Sequence, residues 1–147
     1  MTVNIGAFAP IDSVQYQIRA VDGRTDTGIS VEVLSAAHPK AQAYSTAQAT
    51  KNLRRQAQME AQQINGRKVK PDERTPDEVR TENVALVVSR LGGWTPFVIP
   101  EFGDNPVEFS DEAAAKWLSM PRYGWVYLQL LEFIADENNF IKGSALT

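Results

Sequence analysis

A run of five apolar residues at positions 84–88, followed by a polar turn and a double glycine, most constrains what this chain can fold into. The surrounding stretch, VALVVSRLGGWTPF, occupies residues 84–97. A helix that is apolar on every side must be buried, so we expect the five residues to lie in a central core helix. Gly92–Gly93 can supply the left-handed residue that commonly ends a helix.

The beginning of the same helix carries the clearest local signal in the sequence. Thr75 can cap the first turn, and Pro76 suits the first helical position. Glu78 can reach back from the third position to close a capping box. We therefore predict a helix over residues 76–91, ended by the double glycine.

The N-terminal part of the chain has the period of β-strands. Residues 14–21 alternate apolar and polar side chains, and residues 29–34 do the same after the turn-rich stretch DGRTDTG. Two such runs around a glycine-containing turn predict an antiparallel β-hairpin at about residues 14–36. Because an isolated hairpin is marginally stable in water, we expect it to pack on helices or on the strands of another chain.

The period changes at Pro39, where a long helix is predicted to begin and to run to about residue 64. One narrow stripe of residues recurs at steps of three and four, and we expect it to be the packing face. The stripe consists of Tyr44, Ala47, Thr50, Leu53, Ala57, Ala61 and Ile64. Because it has few large side chains, it buries too little apolar area to hold the helix firmly without a partner.

Charge is distributed unevenly along the chain, although the net charge is only −3. Residues 40–70 contain seven basic side chains and one acidic side chain, a net charge of +6, whereas residues 71–147 carry −7. Lys51, Arg54 and Arg55 are basic residues of the long helix that lie beside its stripe. The sequence therefore describes a basic arm attached to an acidic body.

The acidic body is predicted at residues 75–141, and a charged linker at residues 65–74 joins it to the long helix. Ser110 can cap a helix over residues 110–119, and a last helix is predicted over residues 122–136. The body is expected to have one core, which consists of Val84, Val87, Val88, Trp94, Trp117, Trp125, Leu128 and Leu131.

Together these elements predict an α+β fold: a helix-rich single domain with an N-terminal antiparallel β-hairpin and about four helices. The proline-rich stretch WTPFVIPEFGDNPVEFS is incompatible with a helix and predicts short extended pieces joined by a turn.

No group of residues predicts catalysis or cofactor binding. The chain has no cysteine and one histidine, His38, which excludes disulfides, cysteine-ligated zinc and a multi-histidine site within one chain. His38 stands at a turn before the long helix, where a capping role is favoured. The four acidic residues between positions 104 and 112 lack EF-hand spacing, and the glycines form no phosphate-binding array. We expect no enzymatic activity, no cofactor and no bound metal.

Membrane insertion is not expected either. The longest apolar run is far shorter than the ~20 residues that span a bilayer. The N-terminus also lacks the basic start of a signal peptide. These features are typical of a cytosolic protein.

The long helix carries the candidate partner-binding site, which consists of Tyr44, Lys51, Leu53, Arg54, Arg55, Ala57 and Ile64. Three interpretations of its basic face stay open: a solvated surface, a protein-binding surface and a nucleic-acid-binding surface. The negative net charge and the lack of interleaved aromatic residues make nucleic acid the least favoured of the three. The hairpin edges are a second candidate surface, for strand addition between copies of the chain.

The order of these segments resembles the tail assembly chaperones of long-tailed bacteriophages and related prophages, over roughly residues 22–140. The segments that carry the resemblance are DGRTDTGISVEVLS, AYSTAQATKNLRR, ENVALVVSRLGGW, GDNPVEFSDEAAAKWL and LLEFIADENNF.

The resemblance implies a non-enzymatic protein that binds the tape-measure protein before assembly and helps to recruit tail-tube subunits around it. It also implies a location in the cytoplasm of the bacterial host and absence from the finished virion. The hairpin edges and the opposite charges of the two halves of the chain favour self-association. Two alternatives belong to other classes: a virion structural protein, such as a connector or tail-completion subunit, and a regulatory nucleic-acid-binding protein.

Overall fold

The computed structural model describes residues 2–64, 66 and 75–141. The fold is α+β, as predicted. Its four helices are α1 (Pro39–Ile64), α2 (Pro76–Ser89), α3 (Asp111–Ser119) and α4 (Gly124–Ala135). Its strands are β1 (Ser13–Arg19), β2 (Asp26–Leu34), β3 (Leu91–Trp94), β4 (Phe97–Val98) and β5 (Pro106–Val107).

The predicted hairpin is present, but it is part of a larger sheet. Strands β1 and β2 pair antiparallel with Tyr16 opposite Val31, and β3 pairs antiparallel with the other edge of β2 with Trp94 opposite Val31. The order β1-β2-β3 therefore places β2 in the centre of a three-stranded sheet. The third strand comes from the chain itself, directly after the core helix, so the expectation of a two-stranded hairpin was incomplete.

The double glycine belongs to this third strand and does not cap a helix. Helix α2 ends at Ser89, two residues earlier than predicted, and Arg90 follows it with a φ of −103°. Gly92 and Gly93 both lie in β3, and neither has a positive φ. Gly92 is required for a different reason: a Cβ atom there would collide with the side chains of Glu32 and Leu34 on β2.

Alanine substitutions of the two glycines should therefore have unequal effects. Gly92→Ala forces the buried Leu34 side chain and the Glu32 carboxylate to move, and we expect a loss of about 1–3 kcal/mol in the free energy of unfolding. Gly93→Ala is the matched control, because a Cβ atom there has open space. Urea denaturation of the two variants measures the difference, and equal losses would contradict the close packing at Gly92.

Both predicted N-cap residues, Thr75 and Ser110, are confirmed. The Thr75 Oγ1 accepts a hydrogen bond from the Glu78 N–H at 3.2 Å, and the Ser110 Oγ accepts one from the Ala113 N–H at 3.0 Å. At the other end of the long helix, α1 stops at Ile64, as predicted. Gly66 then has a φ of +70°, which suits the residue after a helix. The rest of the predicted linker at 65–74 lies outside the described residues.

The core forms where α2, α3 and α4 pack on the sheet, and part of its predicted composition is confirmed. The buried residues include Val84, Val87, Val88, Trp94 and Trp117. Trp94 and Trp117 meet edge to face with ring centroids 5.6 Å apart. The short β4–β5 ribbon covers this pair, since the Trp94 Nε1–H donates to the Val107 carbonyl at 2.9 Å.

The predicted core was wrong at Leu128, and the prediction of a helix buried on every side was wrong at Leu86. Leu128 is 56% exposed, because the buried stripe of α4 consists of Val126, Leu130 and Ile134, and Leu128 points to the opposite side of the helix. Leu86 is 39% exposed, so α2 is not buried on every side. Trp125 and Leu131 are half-buried at the margin of the core.

Candidate functional site

Helix α1 is long and almost entirely exposed. It contains 26 residues, which corresponds to a length of about 39 Å, and Ala41 is its one buried residue. His38 precedes the helix and accepts a hydrogen bond from the Lys40 N–H at its Nδ1, 3.1 Å away. The capping role predicted for His38 is therefore confirmed. The helix behaves as an arm whose base is attached to the rest of the fold.

Contacts in the first two turns hold the base of α1. The Lys40 ammonium donates to the Leu91 carbonyl and pairs with the Asp111 carboxylate, both at 2.6 Å. The Tyr44 hydroxyl donates to the Glu82 carbonyl at 3.3 Å, and burial together with the nearby Glu82 carboxylate raises the pKa of Tyr44. These contacts connect the start of α1 to β3, α3 and α2.

The middle of α1 faces the acidic beginning of α2. The Lys51 ammonium lies 3.8 Å from a carboxylate oxygen of Glu82, and Lys51 and Arg55 line one side of a groove whose other side includes Asp77 and Glu78. Acidic residues are favourable in the first turn of a helix, and here they also complement the two cations. Two basic residues of the candidate site, Lys51 and Arg55, therefore face α2 of the same chain.

The opposite side of α1 is open to solvent and carries two large apolar side chains together with Glu60. Leu53 is 66% exposed and Ile64 is 85% exposed, with the exposed Ala57 between them. Leu53 lies nine positions after Tyr44, which is about two and a half helical turns, so the two side chains point in opposite directions. We call Leu53, Ala57 and Ile64 the outer face of α1, and Tyr44, Lys51 and Arg55 its inner face.

The predicted site thus divides between two faces, and Arg54 lies exposed between them. The prediction of a single packing stripe was wrong for a geometric reason. From Tyr44 to Ile64 the stripe takes six steps over 20 residues. This mean step is shorter than the roughly 3.6 residues of a helical turn, so the stripe winds about half a turn around the helix. Tyr44, at its beginning, contacts the body, and the rest of the stripe is exposed.

The acidic partners of the inner face were missed in the sequence. Asp77 and Glu78 were interpreted only through their position at a helix start, which remains correct. The signal that points to their second role is the opposite charge of the two neighbouring helices. This charge difference predicts that the segment of residues 40–70, with a net charge of +6, pairs with the acidic first turn of α2.

The sheet edges are less open than a hairpin would be. The edge of β2 that a two-stranded hairpin would leave open pairs with β3. At the end of β1, the Gln129 carboxamide of α4 accepts from the Arg19 N–H at 3.0 Å and donates to the Arg19 carbonyl at 2.7 Å. The Lys40 ammonium donates a hydrogen bond to the Leu91 carbonyl of β3. Side chains that pair with edge groups discourage strand addition, so α1 is the stronger candidate for a binding surface.

Within the described residues, no group of three or more histidine, cysteine, aspartate or glutamate side chains is arranged to hold a metal ion. None of the helices there combines the length and the apolar character needed to cross a membrane. Comparisons with protein-family models, with curated proteins and with solved structures find no match.

Charge reversal on the inner face of α1 should have a different effect on amide exchange from charge reversal beside it. In the variant Lys51→Glu/Arg55→Glu, like charges face Asp77, Glu78 and Glu82, so we expect faster amide exchange in the middle of α1. The free energy of unfolding should change by no more than about 1 kcal/mol, because exposed ion pairs contribute little. Hydrogen–deuterium exchange measures the effect.

The control for this experiment is Arg54→Glu, which alters the charge of the same helix without facing α2. It should leave the exchange rates of α1 unchanged. Equal acceleration in both variants would contradict the electrostatic attachment of α1 to α2.

Proposed function

We propose that this chain is a non-enzymatic assembly protein that binds a long helical partner through the outer face of α1. The observation that carries the proposal is a 26-residue helix that buries only Ala41 while Leu53 and Ile64 are exposed. When a partner covers exposed apolar side chains, the free energy falls by about 25 cal/mol for each Å² of apolar surface removed from water. Such a helix is stabilised when another protein covers its exposed apolar side chains.

The spacing of the outer face favours a helix as the partner. Ala57 lies four positions after Leu53, and Ile64 lies seven positions after Ala57, so all three lie along one side of α1. Residues at such intervals form a ridge that packs into the groove of a second helix. Arg54, which is exposed beside this ridge, can pair with an acidic residue of the partner.

The class of protein that unites these features is the tail assembly chaperone of long-tailed bacteriophages. The sequence resembles that family in the order of its segments, and the tape-measure protein is a long helical partner of the required kind. The chain then binds the tape-measure protein in the cytoplasm of the bacterial host, helps to recruit tail-tube subunits and does not remain in the finished virion. Self-association along the tape-measure protein is part of the proposal.

Co-expression with the tape-measure protein tests this function. The full chain should raise the soluble fraction of that protein, and the two should elute together in size-exclusion chromatography. A chain of the same length in which Leu53 and Ile64 are both replaced by aspartate should not. If the wild-type chain leaves the tape-measure protein insoluble and elutes alone, the proposed function is wrong.

Two further measurements distinguish the alternative classes. Mass spectrometry of purified particles should find no copies of the chain, whereas a connector or tail-completion subunit would be present in stoichiometric amounts. Retention on a DNA column that falls steeply with salt would instead identify a nucleic-acid-binding protein.

A further inference from the structure

A cavity of about 590 Å³ opens on the side of the fold where the segment after β2 meets α2 and the end of α4. Its volume lies within the roughly 300–1,000 Å³ that is usual for small-molecule sites. The walls are mainly apolar and include Leu86, Leu131, Ile134 and Phe140. The cavity is separate from the outer face of α1, none of whose residues line it.

Two polar side chains of this cavity have unused hydrogen-bonding capacity. Ser35 is 1% exposed, and its hydroxyl has no hydrogen-bond partner within the described residues. A buried polar group without a partner is unfavourable. The hydroxyl oxygen is itself buried, so the Ser35 side chain must rotate toward the cavity to pair with a ligand atom.

Arg90 is the second polar group. Its Nε–H donates to the Leu34 carbonyl at 2.6 Å, and its guanidinium lies 5.2 Å from the centre of the Phe140 ring. An arginine carries five N–H donors in a planar fork, so donors remain after the bond to Leu34. Burial lowers the pKa of Arg90, which reflects a cation partly withdrawn from water.

We infer that this cavity binds a small monocarboxylic acid with an apolar body, held by Arg90 and Ser35 at its carboxylate and by Leu86 and Leu131 along its hydrocarbon. Arginine pairs with a carboxylate through two parallel hydrogen bonds. A purely apolar ligand would leave the Ser35 hydroxyl unpaired. A cationic ligand would be repelled by Arg90.

Octanoate is a suitable probe, and isothermal titration calorimetry with the full chain is the measurement. Octanoate should bind saturably with one site, whereas 1-octanol and octylammonium should bind at least about tenfold more weakly, because they lose the charge-assisted hydrogen bonds. Absence of saturable octanoate binding would overturn the inference. Equal affinity for 1-octanol would overturn the role of Arg90.

Two variants locate the site. Leu86→Asp places a carboxylate at the partly exposed wall of the cavity. It should reduce octanoate affinity at least tenfold, because the new carboxylate and that of octanoate carry like charges. The control Leu128→Asp introduces the same charge at an exposed position of α4 that does not line the cavity and should bind octanoate normally. Equal behaviour of the two variants would place the binding elsewhere.

Ser35→Ala gives an independent check. It should weaken octanoate binding while leaving the thermal midpoint of the free chain unchanged or raised, because it removes a buried hydroxyl without a partner. Unaltered octanoate affinity in this variant would exclude a contact with Ser35.

Discussion

Trp117→Ala should lower the free energy of unfolding by about 3–5 kcal/mol, the largest loss expected from any single truncation in this chain. Trp117 is 2% exposed, and its ring contacts those of Trp94, Phe97 and Tyr123. Truncation to alanine therefore leaves a cavity where α3, the β4–β5 ribbon and β3 meet. Urea denaturation followed by circular dichroism measures the loss.

Two control variants show whether the loss comes from this ring. Trp125→Ala removes the same side chain from a half-buried position in α4 and should cost clearly less. Trp117→Phe keeps an aromatic ring and removes an Nε1–H that is buried without a partner in the described part of the chain, so it should also cost less than alanine. If Trp117→Ala and Trp125→Ala lose equal stability, the core is not centred on Trp117.

Replacing Leu53 and Ile64 together by aspartate should abolish the proposed binding of the tape-measure protein and leave the fold intact. The two side chains are 66% and 85% exposed, so their loss removes almost no packing within the chain. Surface substitutions of this kind usually change the free energy of unfolding by no more than about 0.5 kcal/mol each. Two charges on the outer face would, however, be buried against an apolar partner surface without compensation. Co-precipitation of the tape-measure protein measures the loss.

The chain offers a closely matched control for this variant. Asn52 and Gln63 each directly precede an outer-face residue, have the same spacing of 11 residues and are exposed. Asn52→Asp/Gln63→Asp adds the same charge to the same helix on a different side, and it should bind the partner normally. If both double variants bind equally well, the outer face of α1 is a solvated surface.

The local signals of the sequence predicted the elements of this fold well. Hydrogen-bonding side chains such as Thr75 and Ser110 act on backbone groups two or three residues away, so their effect is visible in a short stretch of sequence. The change from the period of strands to that of helices likewise located the hairpin and the start of α1 at Pro39.

What could not be predicted depends on contacts between distant segments. Gly92 matches a helix stop in its local sequence, but pairing with β2 draws it into a strand, where the neighbouring side chains leave no space for a Cβ atom. The buried face of α4 is ambiguous in the sequence because Leu128, Leu130 and Leu131 are all apolar. The positions of α2, α3 and the sheet, against which α4 packs, select Leu130.

The candidate site was partly predictable for the same reason. The composition of α1 identified an amphipathic basic helix, and the low apolar content of its stripe indicated that it would be weakly held. Which side faces the body is decided by Glu82 and the first turn of α2, across a linker that separates the two helices in sequence. Tertiary contact thus assigns Lys51 to the inner face and leaves Leu53 outside.

Hydrogen–deuterium exchange of the chain with and without the tape-measure protein tests the proposed function most directly. The outer face lies in the distal two thirds of α1, which has few contacts of its own, so its amides should exchange readily in the free chain. On binding, we predict strong protection of residues 50–64 and little change in β1, β2 and α4. Unchanged exchange across residues 50–64 in the bound state, with protection confined to the body, would contradict the proposal that α1 is the binding arm.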